Sequence, residues 1–317
     1  MQRPVYILPL IVLSQFAGTS LWFSGNAILP ELSKVFLLDK TALALVTSSV
    51  LIGFIAGTFV YAVYAIADRF QPSAVFFFSS LIAASANLLL LLQQHHLFLL
   101  IASRFFIGFF LAGIYPVGMK IAAEWYEKGL GKALGYLVGA LVLGTAFPHL
   151  LKQSGWEYNW KTVLIFTSCF ASLGGVLMLL FVPRGPFSKA GVHYSLKAFK
   201  ESFQRAGFRA ASFGYFGHMW ELYAFWAFVP LLLSYYVQKH ALVLNIPLWS
   251  FVIIATGMAG CIAGGYLTKQ YGSAKVAFVA MSCSLCCCLL SVFSFEWSTP
   301  LFLFFLIDPF GVKIISR

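Results

Sequence analysis

Leu97-Phe-Leu-Leu-Ile-Ala-Ser-Arg104-Phe-Phe-Ile-Gly108-Phe-Phe-Leu-Ala-Gly113-Ile-Tyr115-Pro-Val-Gly-Met-Lys120-Ile-Ala122 is the stretch on which the fold turns. Only Arg104 and Lys120 are charged in it. A hydrocarbon layer about 30 Å thick takes about 20 apolar residues to cross as a helix, and this run exceeds that. Lipid gives backbone N–H and C=O groups no partners, so an isolated run of this kind closes its own hydrogen bonds as a helix.

Comparable runs lie on both sides. They are expected at 5–29, 41–67, 73–93, 131–151, 161–182, 209–236, 248–268, 273–295 and 299–316, which with 97–122 makes about ten spans. Composition agrees: 61% of the residues are hydrophobic, 10% are charged and mean hydropathy is +0.88. Soluble domains carry about 25% charged residues. The short alternating segments of a transmembrane barrel are absent. The first run begins beside Arg3 like a signal peptide, but it is too long and has no Ala-x-Ala site, so it is read as helix 1.

The net charge of +11 is a matter of position. With the N-terminus inside, the cytoplasmic connections hold Arg3, Arg69, Lys120, Lys128, Lys132, Arg184, Lys189, Lys197, Lys200, Arg205, Arg209, Lys269 and Lys275, while the outer ones hold Lys34, Lys40, Lys152, Lys161 and Lys239. The positive-inside rule then places the N-terminus in the cytoplasm, and the chain is expected to be a multi-pass protein of the cell (inner or plasma) membrane. Topology accounts for the basic charge, and no nucleic-acid partner is implied. The six cysteines all fall within expected spans and read as packing residues. No metal or cofactor is implied.

The longest polar connection, Pro183 to Phe208, carries Leu196, Phe199 and Phe203 at helical spacing and reads as an amphipathic segment on the cytoplasmic face. The sequence on either side of it echoes. Tyr64-Ala-Ile-Ala-Asp68-Arg69-Phe70-Gln71 follows span 2, and Gly265-Tyr-Leu-Thr-Lys269-Gln270-Tyr271-Gly272 follows span 8, so that Asp68 meets Lys269 and Phe70 meets Tyr271 at an offset of 201. Related halves joined by a basic loop are a transporter plan.

These motifs resemble those of the major facilitator superfamily. The family's loop after span 2, Gly-x-Leu-Ala-Asp-Arg-x-Gly-Arg-Arg/Lys, is matched at Ala67, Asp68 and Arg69, with Tyr64 in place of the first Gly and Gln71-Pro72-Ser73 in place of the Gly and basic residues. The second copy keeps Gly265, Leu267 and Gly272 but has no Asp. Arg104, Gly108, Ala112 and Gly113 are similar to the span-4 motif. The span-5 antiporter motif, centred on Gly-Pro, is not matched by the Gly-rich 135–148.

The resemblance implies an all-α integral membrane bundle: a six-helix N-terminal half (1–182), a cytoplasmic linker (183–208) and an incomplete C-terminal half of about four helices (209–317). Family members usually have twelve spans, so the chain reads as a truncated or frameshifted product. It also implies secondary active transport by rocking of the halves, with Asp68 and Arg69 as gating residues in a charge network.

Ionisable and polar residues inside spans are the candidates for chemistry. Arg104 shares a helical face with Gly108, Leu111 and Tyr115, and its planar fork of donors suits a carboxylate or other anion. It reads equally as half of a structural pair. Glu221 has His218 one turn before it. Burial raises a carboxylate's pKa and lowers that of His, so the two could exchange protons near neutral pH, or form a static pair. Trp220 and Trp226 flank them, and Gln15, Thr19, Trp22 and Asn26 form a polar stripe on helix 1 that serves either substrate or helix packing. The glycines at 53/57, 131/135/139 and 257/260/264 read as close helix contacts, and His149 as an interfacial helix end.

The expectation is therefore a proton-coupled permease or symporter, monomeric, that moves a small anion or carboxylate-bearing metabolite across the membrane. Gln15, Trp22, Asn26, Arg104, Tyr115, His218 and Glu221 bind substrate, with Glu221 and His218 in proton coupling. An efflux permease for amphipathic compounds and an inactive fragment are the alternatives. A membrane enzyme is disfavoured, since the sequence has no HExxH, no paired acidic motif and no nucleotide loop.

Overall fold

The computed structural model describes residues 4–92, 96–153, 160–188 and 196–313, and Arg3, Lys189 and the last four residues lie outside that set. The described residues form helices, turns and loops, with no strand among them. The helices are α1 (Ile7–Thr19), α2 (Ser24–Ala27), α3 (Leu29–Phe36), α4 (Lys40–Val63), α5 (Ile66–Arg69), α6 (Pro72–Leu88), α7 (Leu97–Leu111) and α8 (Tyr115–Trp125). After them come α9 (Leu130–Gln153), α10 (Trp160–Phe181), α11 (Leu196–Gln204), α12 (Ala206–Lys239), α13 (Ile246–Tyr271), α14 (Ser273–Ser294) and α15 (Thr299–Lys313).

Among the described residues, seven segments are long and apolar enough to cross a bilayer: 41–63, 72–92, 97–125, 130–153, 160–181, 246–271 and 273–294. The other three expected spans fall short for separate reasons. The first is broken, α15 has 15 described residues, and the 34-residue α12, with Glu221 near its middle, has no 18-residue window apolar enough.

Two expected single helices are interrupted. Span 1 stops at Thr19 and resumes as α2 and α3. At the break the Ser20 hydroxyl donates to the Ala17 carbonyl at 2.7 Å and Ser24 to that of Leu21 at 2.9 Å, and such local bonds compete with the helix ladder. Span 4 stops at Leu111 and resumes at Tyr115. Pro116 is the cause: it has no N–H for the Ala112 carbonyl, and its ring crowds that group. Elsewhere the ends are ordinary. Asp39 caps α4 through the Ala42 amide at 2.7 Å, and Asn245 caps α13 through that of Leu248 at 3.1 Å.

The packing repeats along the chain. Adding 201 to α6 and α7 gives 273–289 and 298–312, nearly the bounds of α14 and α15. α7 packs on α4 and α6, and α15 packs on α13 and α14 in the same way. Within the first six spans, α10 lies against α1 and α6, and buried Asn87 ties them together. Its amide donates to the Leu164 carbonyl, Thr167 and Ser168 at 3.0–3.2 Å, and its oxygen accepts from Ser24 at 3.0 Å. The start of the linker is strapped to the same body, with Trp125 Nε1 donating to the Pro183 carbonyl at 3.1 Å and the Phe187 amide to that of Glu124 at 3.0 Å.

Two of the expected glycine sets meet a neighbouring helix closely, and Gly257, Gly260 and Gly264 of the third are buried on α13. Gly53 and Gly57 meet the main chain of Phe105 and Phe109, while Gly135 and Gly139 meet Cys261, Gly265 and Met258 across the α9–α13 seam. Other expectations change. His149 is not an interfacial end: it is 2% exposed, inside α9. Cys261 packs inside, but Cys169 on α10 is exposed, as are Cys283, Cys286 and Cys288 on α14, a helix with few buried residues. No group of three His, Cys, Asp or Glu among the described residues could hold a metal ion.

Candidate functional site

The two breaks meet. Arg104, on the second turn of α7, is 0% exposed and points at the gap in span 1. Its Nη2 donates to the Trp22 main-chain carbonyl at 3.2 Å and to Asn26 Oδ1 at 2.6 Å. Gly25 lies under the guanidinium, and a Cβ there would come within 2.9 Å of Cζ and Nη1. Nε and Nη1 have no hydrogen-bond partner, and no carboxylate among the described residues pairs with Arg104. A buried guanidinium that makes two bonds through one nitrogen leaves most of its donor capacity unused.

Rings surround this group. Trp22 is buried, tilted against Phe54 at 4.6 Å and stacked on Tyr223 of α12 at 5.4 Å. Phe23 meets Trp226 edge-on at 5.9 Å, and Trp226 meets Tyr223 at 5.7 Å. The expected Trp pair therefore separates: Trp226 is 1% exposed and faces the rings, whereas Trp220 is 82% exposed and faces away. Tyr223 is the residue that sequence reasoning missed. Its signal was present, one turn before Trp226 on the same helix, but only the fold puts span 7 beside span 1.

The expected stripe on helix 1 does not survive the break as one face. Gln15 is fully buried one level away, against Gly118 of α8, and neither side-chain polar atom has a hydrogen-bond partner. Thr19 is spent on its own helix, donating to the Gln15 and Phe16 carbonyls at 2.8 and 3.2 Å. The expected Arg104–Tyr115 face is likewise divided between α7 and α8. Both residues are buried, and Tyr115 opens the helix that carries Gly118.

Glu221 and His218 lie apart, on a groove of about 520 Å³ between α12 and α14. Glu221 Oε1 accepts from Ser284 and, at 3.0 Å, from Cys288, and its Oε2 stands 4.0 Å from His218 Nδ1. The rest of the lining is mostly apolar, with Phe278, Met281 and Leu285 beside Ser282.

Ion pairs close both ends of the first six spans. At one end Lys120 contacts Asp68 and stands 3.7 Å from Glu124, joining α5 to α8, while Arg69 is exposed. At the other end Lys152 bridges Glu31 at 2.8 Å and the Ala27 carbonyl at 3.0 Å. Among the described residues, the ion pairs of Asp68 and Lys120 stay within the first six spans.

The Major Facilitator Superfamily pattern matches residues 11–315. No curated protein matches. Among solved structures, the chain is similar to the nucleoside transporter NupG (D323A mutant), with TM-score 0.70 and 14% identity over 98% of this chain and 80% of that one. It is similar to the proton:xylose symporter XylE, bound to 6-bromo-6-deoxy-D-glucose, with TM-score 0.64 and 15% identity over 98% and 80%. A bacterial homolog of the human lysosomal transporter Spinster, inward-facing and occupied, gives 0.63 and 13% over 98% and 73%. At these identities the likeness is one of fold.

Proposed function

The chain belongs to the Major Facilitator Superfamily, and from that premise we propose that it is a secondary active transporter of a small solute bearing a carboxylate or similar anionic group, anchored on Arg104. The observation that carries this reading is the fully buried guanidinium with Nε and Nη1 unpartnered and no carboxylate paired to it among the described residues. Burying a charge without a counter-charge is costly, and a cation kept there is explained by an anion that arrives and leaves. Trp22, Phe54 and Tyr223 supply the apolar walls, and buried Gln15 and Tyr115 further polar contacts.

Proton coupling is assigned to Glu221 with His218. A carboxylate held by Ser284 and Cys288 on a largely apolar groove, with an imidazole 4.0 Å away, is placed to change its protonation with its surroundings. Residues 1–182 and 209–317 are the two bodies that rock, joined by 183–208. The chain would act as a monomer in the cell membrane, and the basic connections favour a cytoplasmic N-terminus.

The test is substrate-dependent proton movement in proteoliposomes, with a pH dye inside and carboxylates, sugars and amphipathic cations outside. A carboxylate should give a signal that Arg104→Ala abolishes and that Glu221→Gln uncouples from protons. A signal from amphipathic cations alone, kept by Arg104→Ala, would refute the anion reading.

A further inference from the structure

We infer that Asn26 is not a ligand of the transported solute but an internal stand-in for its anionic group on Arg104, displaced when that group binds. The inference rests on the reading of Arg104 as anchor and concerns how the anchor is kept until it is used.

A guanidinium grips a carboxylate through two parallel N–H···O bonds. Either flat edge that can do so includes Nη2, paired with Nε on one side and with Nη1 on the other. In this protein Nη2 is the occupied nitrogen and the other two are unpartnered. Nε and Nη1 share no edge, so an arriving carboxylate can make only a single bond while Nη2 stays engaged. It cannot settle on the face that Gly25 covers, since even a methyl there would be within 2.9 Å of Cζ. Two-point binding therefore requires one of the Nη2 acceptors to leave.

Of the two acceptors, the Trp22 carbonyl is main chain, held in the turn that the Ala17 and Leu21 carbonyls close with Ser20 and Ser24. Asn26 Oδ1 is at the end of a short side chain and leaves by a χ1 rotation. Asn26 is also half-buried whereas Arg104 is fully buried, so it lies on the side from which a solute arrives. The exchange is favourable in kind. One bond to a neutral amide oxygen is lost, and two bonds to a carboxylate form, the second on a nitrogen that previously had no partner. Until then Asn26 holds part of the guanidinium's hydrogen-bonding capacity in place at a cost that an anion can overcome and a neutral solute cannot.

The signature is a gain on deletion. A residue that contacts solute loses affinity when truncated, whereas a stand-in gains it. The full chain in lipid nanodiscs is titrated with benzoate, whose ring suits the walls of Trp22, Phe54 and Tyr223, and with uncharged benzamide, using the shift in melting temperature as readout. Asn26→Ala should bind benzoate about tenfold more tightly than the parent, the worth of one hydrogen bond to a charged group removed from competition. Asn26→Asp keeps the shape and puts a tethered carboxylate on Arg104. It should melt higher than the parent without ligand and lose the benzoate response. Benzamide should shift none of them. Weaker benzoate binding by Asn26→Ala, or a benzoate response kept by Asn26→Asp, overturns the stand-in role and leaves the Arg104 anchor in place. No benzoate response from the parent, Asn26→Ala or Asn26→Ser overturns the anchor itself, and with it this inference.

Discussion

Gly108→Ala should destabilise the protein by about 2 kcal/mol, and the reason is a seam with no slack. α4 and α7 approach through Gly53, Gly57 and Gly108, each pressed on main-chain atoms of the other helix. A methyl at Gly108 would land on the Val50 carbonyl oxygen, 2.8 Å from its carbon and 2.9 Å from the Phe54 nitrogen. The methyl would stand 1.9 Å from that oxygen, and carbon and oxygen pack no closer than about 3.3 Å. The helices must therefore part locally by about 1.4 Å, beyond the gap of about 0.5–1 Å that already forfeits about a quarter to a half of the dispersion attraction. No rotamer can relieve the clash, because the atoms struck are backbone. Overpacking of this kind costs about 3 kcal/mol at its upper end, and the better helix propensity of Ala returns about 1. At about 2–4 °C per kcal/mol the melting temperature falls by roughly 4–8 °C. The assay is the fraction that stays monodisperse on size exclusion after heating in detergent, with Gly217→Ala as comparison, since nothing lies within 4 Å of a methyl there. That second variant should hold or gain stability. If Gly108→Ala melted at or above the parent, or moved in step with Gly217→Ala, the close-contact account of the α4–α7 seam would be wrong.

Three further outcomes follow from single contacts. Lys120→Met leaves the carboxylates of Asp68 and largely buried Glu124 without their shared cation, and should lower stability by about 3 kcal/mol, more than Asp68→Asn does, in the same melting assay. Glu221→Gln keeps an oxygen for Ser284 and Cys288 and should melt within about 2 °C of the parent, whereas Glu221→Leu strips both donors of their acceptor and should melt lower; equal melting of the two would show that the bonds hold nothing. Glu296 lies in the exposed turn before α15, where a hydrogen bond from Lys239 holds its carboxyl below the ordinary range. A depressed carboxylate contributes stability above its unfolded pKa and loses it as pH falls through its folded value. Glu296→Gln should therefore flatten the acid limb of stability below about pH 4.5, read from melting between pH 3 and 6, and identical limbs would exclude the pair as a contributor.

The membrane character, the helical class and the family were legible from residues alone, because each follows from a local property. A run of about 20 apolar residues must be a helix in lipid wherever it sits. The offset of 201 held as well, placing α14 and α15 almost where α6 and α7 predict them, since a repeat is written in the order of residues. Arg104 too could be singled out as a charge inside a span. What the sequence could not show was what Arg104 faces. Its surroundings depend on two interruptions, at 20–23 and at 112–114, and on the contact between a broken helix 1 and a helix 7 two hundred residues away. Even the Pro that breaks span 4 was visible, but the consequence of the break was not. The same holds for Glu221. One turn of helix pairs it with His218, yet its firmest partners, Ser284 and Cys288, lie 63 and 67 residues on. Periodicity assigns a residue to a face of its own helix. Which neighbour covers that face is settled by packing among all the helices at once, and that interaction is long-range and written in no local stretch of chain.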